Sequence, residues 1–221
     1  MPFFSVVIPT YNQCNFLNAA IKSVLKQTFK DFEIIVIDNF SNDNTKKVIK
    51  SFASKKIIYK QFKNNGVIGA SRNLGIKLSK GSWVAFLDSD DTWNKHKLKV
   101  IYKEIHKNKK FVVFCSNEII INTENNEKKI WHYGPYKKNF YNFLVSNGNC
   151  LSTSASVVNK KILELKKIKF SEKKNLVTAE DYDFFLKIAF HGYKFKFLKN
   201  ILGEHLMHPK SMSNNFQLHR N

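Results

Sequence analysis

The chain has 221 residues, of which 43% are hydrophobic and 14% aromatic, and its 37 basic and 17 acidic residues give a net charge of +20. This composition excludes a largely disordered chain, because disordered segments are poor in apolar and aromatic residues. No apolar run approaches the ~20 residues of a membrane span, and the amino-terminal residues lack the basic and long apolar segments of a signal peptide. A cytoplasmic protein is therefore expected.

The first half of the chain alternates between apolar strands and amphipathic helices. Strands are predicted at 3–9, 32–38, 55–62 and 82–88, and helices at 15–27, from the 41–45 turn to residue 52, and at 71–78. This interval is typical of βαβ units. We therefore predict an α/β fold with a mainly parallel central sheet and helices on both faces.

The second half is less regular. The pattern predicts a helix after Asp91 to residue 107, one or two strands in 110–121, an exposed turn at 122–129, an irregular aromatic segment at 130–150, a basic helical stretch at 160–174, a helix at 180–190 and a strand at 194–198. No repeat or long linker divides the chain. We interpret it as one domain, 1–221, with a nucleotide-binding-like half to about residue 110 and a second half from about residue 111.

The basic residues are almost all lysines, the cysteines are far apart and many of the acidic residues are clustered. All but two of the basic residues are lysines, the exceptions being Arg72 and Arg220, and such a surface attracts polyanions and anionic membranes. The cysteines, at 14, 115 and 150, lie far apart, which argues against a disulfide framework and a zinc site. Eight of the 17 acidic residues fall in three clusters: Asp38 and Asp43; Asp88, Asp90 and Asp91; and Glu180, Asp181 and Asp183.

The first acidic cluster lies at the ends of two predicted strands. Asp38 ends the second strand, and Pro9, Thr10 and Tyr11 end the first. In open α/β sheets, ligands bind beyond the carboxyl ends of the strands, so Asp38 is a candidate to accept hydrogen bonds from a base or a ribose. The alternative is that Asp38 and Asp43 cap a helix and form a turn, which we favour for Asp43.

The second cluster follows the apolar strand that ends at Leu87. Asp88 and Asp90 are alternate residues of an extended segment and can face one ligand. Crowded carboxylates repel one another unless a cation or hydrogen-bond donors neutralise them, and hard oxygen ligands suit Mg²⁺ or Mn²⁺. A solvated acidic turn that caps the next helix is the alternative.

Two further segments carry candidate residues. The loop at 64–75 holds Arg72, whose planar guanidinium binds phosphate in a bidentate manner, whereas lysine offers only a point charge. The glycines of this loop are explained as turn residues.

The helix at 180–190 begins with three carboxylates, which favour the positive end of a helix dipole. For Asp183, an ion pair with Lys187 at i+4 explains the charge. A general base displayed at the start of this helix is the functional alternative.

Five motifs, in order, resemble those of the inverting family-two glycosyltransferases of the GT-A fold. SVVIPTYN (5–12) is similar to the opening strand and loop of that family, and IDNFSNDNT (37–45) to its D-x-x-S-x-D-x-T segment. GASRNLGI (69–76) resembles its A-R-N-x-G stretch, FLDSDD (86–91) its D-x-D metal motif, and AEDYDFFLKI (179–188) its E-D helix. The resemblance covers about residues 5–190, and the five motifs jointly are far more specific than any one alone.

The resemblance implies a role for each candidate. Asp38 would recognise the nucleotide base, Arg72 would lie near the diphosphate, and Asp88 would lie near the ribose or the metal. Asp90 would bind a divalent cation, Mn²⁺ or Mg²⁺, that bridges the two phosphates of the donor, and Asp181 would be the general base. His208 lies where some relatives place a late metal or diphosphate contact, although a surface histidine is the alternative. The implied nucleotide-sugar-binding set is Pro9, Thr10, Tyr11, Asp38, Asn39, Arg72, Asp88 and Ser89.

The implied activity is transfer of a sugar, with inversion, from a nucleotide sugar to an acceptor hydroxyl in cell-surface polysaccharide or glycolipid synthesis. The expected donor is a UDP-sugar, and the expected acceptor is a saccharide or a lipid-linked saccharide bound by the second half. Two departures affect that half: Lys187 stands where the family has arginine, and KIKFSE (167–172) replaces a G-G-F-D-E segment. A sugar nucleotidyltransferase and a basic nucleic-acid-binding domain are the alternatives, and we expect no nucleic-acid partner.

The lysine-rich stretch at 160–174 supports one more hypothesis. Its seven lysines are interleaved with apolar residues, namely Ile162, Leu163, Leu165 and Ile168. On one helix this pattern gives a basic face beside an apolar face, as in helices that lie on membranes. Peripheral attachment to an anionic membrane on its cytoplasmic face is the resulting hypothesis, and a solvated helix packed on the core is the alternative.

Overall fold

The computed structural model describes residues 1–209. Its strands are β1 (Phe4–Thr10), β2 (Phe32–Asp38), β3 (Ile57–Gln61), β4 (Trp83–Phe86), β5 (Thr92–Trp93), β6 (Phe111–Asn122), β7 (Lys128–Trp131), β8 (Ser156–Asn159) and β9 (Lys194–Met207). Its helices are α1 (Cys14–Leu25), α2 (Thr45–Ser51), α3 (Ile68–Leu78), α4 (Lys97–Lys107), α5 (Phe140–Asn147), α6 (Lys160–Leu165) and α7 (Glu180–Phe190), with a 3₁₀ turn at Lys174–Leu176.

One mixed sheet runs through both halves of the chain. Its strand order is β3-β2-β1-β4-β8-β6-β9-β5, with β7 paired to β6 outside this path. The first four strands are parallel, as the alternation of strands and helices predicts. Beyond β4 the sheet is mixed, because β8 runs antiparallel to both β4 and β6, whereas β6 and β9 are parallel.

The sheet separates two hydrophobic cores, and alternate residues of β1 show why. Val6 and Ile8 point into one core and Val7 into the other, since successive side chains of a strand face opposite ways. Helices α1, α2 and α4 cover the first core, and α5, α6 and α7 cover the second. The predicted α/β class with helices on both faces is therefore confirmed.

Within residues 1–209, the second half differs from the sequence-based expectation in several elements: the short strands β5 and β8 were not predicted, and β9 extends to Met207 instead of residue 198. The segment predicted to be turn and irregular contains the hairpin strand β7 and the helix α5. All four residues of β7 are exposed, so no burial pattern marks them as a strand. Helix α5 begins where the Asn139 side chain accepts a hydrogen bond from the Asn142 amide, which is a helix signal that the sequence does contain.

The predicted basic helix over 160–174 is wrong in its length. Helix α6 ends at Leu165, and Lys167 has a positive φ of 52° that no helix continues through. Ile162, Leu163 and Ile168 are buried in the second core, and Leu165 is exposed. The stretch therefore does not provide the long amphipathic helix on which the membrane hypothesis was based. None of the helices in residues 1–209 has the length and apolar character that a membrane crossing requires.

Candidate functional site

Asp38 lies at the carboxyl end of β2, fully buried beside the end of β1. Its Oδ1 accepts hydrogen bonds from the amide and hydroxyl of Ser41, at 2.9 and 2.5 Å. Its Oδ2 accepts one from the Tyr59 hydroxyl at 2.6 Å, and burial together with this carboxylate raises the pKa of Tyr59 well above its usual range. Asp38 is therefore held rigidly at the sheet edge where ligands of α/β folds bind. Asp43 forms the expected turn, since it accepts the amides of Cys14 and Thr45.

A cleft of about 500 Å³ opens beside Asp38, lined by Tyr11, Asn39, Phe40, Lys63 and Asn65. Tyr11 and Phe40 are large apolar side chains that remain more than half exposed. Phe40 and Asn65 both have positive φ angles, 56° and 53°, which are strained for residues other than glycine. The sequence analysis included Tyr11 and Asn39 but missed Phe40, Lys63 and Asn65. The D-N-F and N-N-G turns that follow two strands were the available signal.

Three other residues of the predicted nucleotide-sugar-binding set, Pro9, Thr10 and Ser89, are buried. Pro9 is a buried ladder residue opposite Ile37, so its position is fixed by the sheet. The Thr10 hydroxyl is buried and has no hydrogen-bond partner within residues 1–209. Ser89 is buried and donates a short hydrogen bond to the Gln13 side chain, which ties the loop after β4 to the start of α1.

Arg72 joins the acidic loop after β4 to helix α7. Its Nη2 donates to Asp88 Oδ1 at 2.7 Å, and its Nη1 donates to Glu180 Oε1 at 2.6 Å. Burial lowers the pKa of this guanidinium, but the two facing carboxylates outweigh burial and hold the pKa above its usual range. The guanidinium also packs 5.3 Å from the Phe170 ring. Arg72 thus bridges two carboxylates, and its contact with a diphosphate stays a prediction.

Gly69 explains how α3 brings Arg72 to this position. A Cβ at Gly69 would collide with the Ser171 carbonyl oxygen and the Phe170 side chain. The absence of a side chain lets α3 approach the 170–171 segment closely. The sequence-based interpretation of Gly69 as a turn residue is therefore wrong, whereas Gly66, with a φ of 80°, is a turn glycine as expected.

Asp90 faces His208 across the end of the sheet. His208 Nε2 lies 3.1 Å from Asp90 Oδ2, and the His208 ring stacks on Phe16 with centroids 4.6 Å apart. His208 is buried, so the alternative of a surface histidine is wrong. Burial, followed by repulsion from Asp88, raises the pKa of the Asp90 carboxyl, although the His208 contact partly opposes this. A carboxylate and an imidazole that converge in this way suit a divalent transition metal such as Mn²⁺.

No group of three or more histidine, cysteine, aspartate or glutamate side chains in residues 1–209 has the arrangement of a metal site. Among the residues that the structure describes, two potential ligand atoms, Asp90 Oδ2 and His208 Nε2, converge at this point. That number fits a cation that is completed by substrate oxygens, since Mg²⁺ and related ions are commonly held by one or two carboxylates plus phosphates. The residues present fit the implied Mn²⁺ or Mg²⁺ on these terms.

The sequence analysis named Asp91 as a member of the acidic cluster but did not foresee its pairing with His205. Asp91 Oδ1 lies 3.0 Å from His205 Nδ1 and also accepts the Leu206 amide, and burial raises the pKa of Asp91 to about 7. Burial lowers the pKa of His205, but Asp91 outweighs this and raises it to about 9. This pairing fixes the loop after β4 against β9. The third aspartate of LDSDD is therefore a structural residue of the site.

Asp88 and Asp181 both line a second cleft, which has a volume of about 640 Å³. Asp88 Oδ2 accepts a hydrogen bond from the Thr153 hydroxyl at 3.2 Å. Asp181, in the first turn of α7, accepts the Tyr182 amide at 2.6 Å and the Asn149 side-chain amide at 3.2 Å. Burial and the neighbouring Glu180 raise the pKa of Asp181 to about 6, although Arg72 opposes the shift. A half-buried carboxyl with that pKa is suited to proton transfer near neutral pH.

The other residues of this acidic turn have structural partners. Asp183 forms the expected i,i+4 ion pair with Lys187, at 2.5 Å. Glu180 is buried, and its Oε1 is bound by Arg72. Glu180 was noted in the sequence as a helix-start carboxylate, but its contact with Arg72 was not foreseen. Asp181 is thus the carboxylate of this turn that faces the cleft.

The comparisons with known proteins agree with this geometry. The family model described as glycosyl transferase family 2 matches residues 5–165. An uncharacterized glycosyltransferase of Methanocaldococcus jannaschii is 32% identical over 206 residues, which cover 91% of this chain and 69% of that protein. WfgD of Escherichia coli, named as a UDP-Glc:α-D-GlcNAc-diphosphoundecaprenol β-1,3-glucosyltransferase, is 35% identical over 145 residues, 65% of this chain and 55% of WfgD.

Solved structures of Staphylococcus aureus TarS share the fold. One TarS structure matches with a TM-score of 0.77 and 26% identity, covering 93% of this chain and 60% of that chain. A TarS complex with UDP-GlcNAc matches with a TM-score of 0.78 and 24% identity, covering 97% and 61%. The chain thus spans a little over half of WfgD and about 60% of these TarS chains.

Proposed function

Because the chain belongs to glycosyl transferase family 2 and shares the GT-A fold of TarS, we propose that it transfers a sugar from a nucleotide sugar to a hydroxyl group of a saccharide acceptor. The observation that carries the proposal is that Asp88 and Asp181 line one cleft. Asp88 belongs to the acidic loop on the side of the nucleotide-binding strands, and Asp181 comes from a helix of the second half. Family membership favours this reading over the nucleotidyltransferase and nucleic-acid-binding alternatives.

The donor is held at the carboxyl ends of β1, β2 and β4. Asp38 accepts hydrogen bonds from the nucleobase, and the exposed rings of Tyr11 and Phe40 border the cleft beside it. TarS has been crystallised with UDP and with UDP-GlcNAc, and WfgD is named for a UDP-Glc donor. These relatives support a UDP-sugar as the donor of this chain.

Asp181 is the general base of the reaction. Its carboxylate removes the proton from the acceptor hydroxyl as that oxygen attacks the anomeric carbon. The bond from this carbon to the diphosphate oxygen breaks on the opposite face, so the configuration inverts and a nucleoside diphosphate leaves. A pKa of about 6 keeps Asp181 ionised at neutral pH. This pKa is also close enough to neutral pH for the carboxylate to accept a proton effectively.

The residues for a divalent cation are Asp90 and His208, whose side-chain atoms lie 3.1 Å apart. Mn²⁺ or Mg²⁺ bound there supplies positive charge that stabilises the leaving diphosphate. Arg72 orders the same region, because it holds Asp88 on one side and Glu180 on the other. Its contribution is to fix the two acidic segments relative to each other before substrate binds.

The acceptor is a saccharide, free or lipid-linked, in the synthesis of a cell-surface glycan. WfgD is named for a diphosphoundecaprenol-linked GlcNAc acceptor. A second relative, the S. aureus poly(ribitol-phosphate) β-N-acetylglucosaminyltransferase TarP, is 45% identical over 103 residues, 44% of this chain and 31% of TarP. Both names place the relatives in glycan assembly, which supports the same setting here.

A thermal-shift screen of nucleoside diphosphates and nucleotide sugars, with and without Mn²⁺, tests the proposal. A ligand at 100 times its dissociation constant stabilises the folded state by about 2.7 kcal/mol, which is easily detected. We expect UDP and at least one UDP-sugar to raise the melting temperature in a Mn²⁺-dependent way. If no nucleotide sugar shifts the transition, the proposed function is wrong.

A further inference from the structure

The cleft that holds Asp88 and Asp181 extends beyond them to the β6–β7 hairpin. Its wall on that side is built from three neighbouring strands: β7, β6 and β9. The register places Lys129 opposite Ile120, and Ile120 opposite His205, in one row across these strands. Asn122 and Met207 form the next row. All of these side chains line the cleft, so one face of this small sheet forms the wall of the cleft next to the proposed base.

Strand β7 presents one of its two faces to the cleft. Glu127, Lys129 and Trp131 are alternate residues and line the cavity, whereas Lys128 and Ile130 do not. This alternation follows from the pleat of a strand, since side chains at i and i+2 lie on the same side. The hairpin therefore directs an acidic, a basic and an aromatic side chain toward the substrate space.

Trp131 differs from the other two tryptophans of the chain. Trp83 and Trp93 are 6% and 5% exposed and belong to the hydrophobic core, whereas Trp131 is 48% exposed. Within residues 1–209, neither hydrophobic core includes Trp131. The Lys129 ammonium lies 5.8 Å from the centre of the Trp131 ring, near the outer limit of a cation–π contact. A half-exposed indole in a substrate cleft contributes little to folding, but it offers a large flat surface to a ligand.

A pyranose ring has the complementary chemistry. One of its faces carries C–H groups, which pack on an aromatic ring, and its edge carries hydroxyl groups, which require hydrogen-bond partners. Asn122, Glu127 and Lys129 supply such partners around the cleft, and Ile120 and Met207 supply apolar contacts. Binding sites of this type combine mainly apolar walls with a few polar groups that set orientation.

We propose that the Trp131 indole is a stacking platform for a pyranose ring of the acceptor, and that the β6–β7 hairpin thereby selects saccharide acceptors. The proposal rests on the proposed function, because it assigns the acceptor side of the same cleft. It identifies a specificity-determining residue in a segment that the family-level motifs do not include.

The test uses the ¹⁵N-labelled protein with UDP and Mn²⁺ present, and it follows the three indole N–H signals by NMR. The probes are methyl glucoside, methyl N-acetylglucosaminide, methyl galactoside and their disaccharides. The Trp131 signal is assigned from Trp131→Phe, and the buried Trp83 and Trp93 serve as internal references. We expect at least one probe to shift the Trp131 signal and leave the other two in place.

Two variants separate stacking from a general effect on the hairpin. Trp131→Ala should weaken binding of the active probe by about fivefold or more, as expected for the loss of an aromatic contact, and Trp131→Phe should retain most of the binding. Ile130→Ala is the matched control, because Ile130 is equally exposed, at 48%, on the same strand but does not line the cleft. Equal losses in Ile130→Ala and Trp131→Ala would overturn the proposal.

The remaining outcomes distinguish this inference from the proposed function. If UDP binds but no saccharide moves the Trp131 signal, the platform proposal is wrong and the proposed function stands. If farnesyl phosphate moves the signal and saccharides do not, the cleft binds a lipid chain and the proposal is also overturned. If saccharides bind at Trp131 but no nucleotide binds with Mn²⁺, the proposed function is the part that fails.

Discussion

Arg72 Nη1 lies 2.6 Å from Glu180 Oε1, a contact between residues 108 positions apart in the chain. Through Asp88, the same guanidinium is tied to the acidic loop after β4. Glu180 is the residue next to Asp181, so the contact links the donor side of the cleft to the turn that carries the proposed base. The first two predictions follow from this bridge.

Replacing Arg72 by leucine should destabilise the fold strongly. The variant leaves the buried Glu180 without its cation and Asp88 without one of its partners, and removing one member of a buried ion pair costs about 3–5 kcal/mol. Urea denaturation followed by circular dichroism measures the free energy of unfolding. Lys77→Ala, at an exposed position on the same helix, is the control and should change it by less than about 0.5 kcal/mol. A loss below about 1 kcal/mol for Arg72→Leu would mean that the bridge is not a stabilising element.

The pH profile of transfer should have an acidic limb near pH 6. Asp181 acts as a base only when ionised, and its pKa is raised to about 6, so kcat/KM should fall about tenfold for each pH unit below that value and level off above it. Glu180 is one cause of the raised pKa through like-charge repulsion. Glu180→Gln should therefore move the limb to lower pH, and Asp183→Asn should leave it in place. A limb that is unmoved in Glu180→Gln would assign the titration to another group.

Asp181→Asn should lose transfer activity by about 10²–10⁴-fold, because the amide cannot accept the hydroxyl proton. The side chain keeps its size and its hydrogen bond with the Tyr182 amide, so the fold should be retained. Asp183→Asn, two residues further along the same helix, should retain most of the activity because it removes only a partly exposed ion pair. Retention of more than about a tenth of the rate in Asp181→Asn would assign the base to another residue.

His208→Gln should weaken Mn²⁺-dependent binding of UDP by about 10–100-fold. Replacing a residue that merely hydrogen-bonds to a metal ligand already lowers metal affinity or activity by about that factor. Removal of divalent ions with EDTA should reduce UDP affinity in the parent protein and have little further effect in the variant. His191→Gln, at an exposed histidine, is the control. Equal affinities with and without Mn²⁺ in the parent protein would contradict the assignment of Asp90 and His208 to a metal.

Much of the first half of the fold is predictable because β1, β2 and β4 are fully buried and appear as largely apolar runs in the sequence. Strand β7 is not predictable in this way, because all four of its residues are exposed and, within residues 1–209, it pairs only with β6. The basic stretch after Lys160 was assigned too long a helix, since the positive φ at Lys167 has no signal in the sequence.

The candidate site follows the same division. Asp38 was identified because it ends a strand, and Asp88 and Asp90 because they lie shortly after one; both are local features. The pairing of His208 with Asp90 and of Glu180 with Arg72 depends on contacts 118 and 108 residues apart, which a single sequence does not encode locally. Trp131 was missed as a candidate binding residue for a related reason. Its importance depends on the side chains of β6 and β9 that line the cleft beside it.

Isothermal titration of UDP in the presence of Mn²⁺, compared between Asp90→Asn and Asp181→Asn, tests the central claim most directly. The account divides the cleft into a donor side, which depends on Asp90, and an acceptor side, which depends on Asp181. It predicts that Asp90→Asn loses Mn²⁺-dependent UDP binding and that Asp181→Asn binds UDP with an affinity close to that of the parent protein. Full UDP affinity in Asp90→Asn, or its loss in Asp181→Asn, would contradict this division.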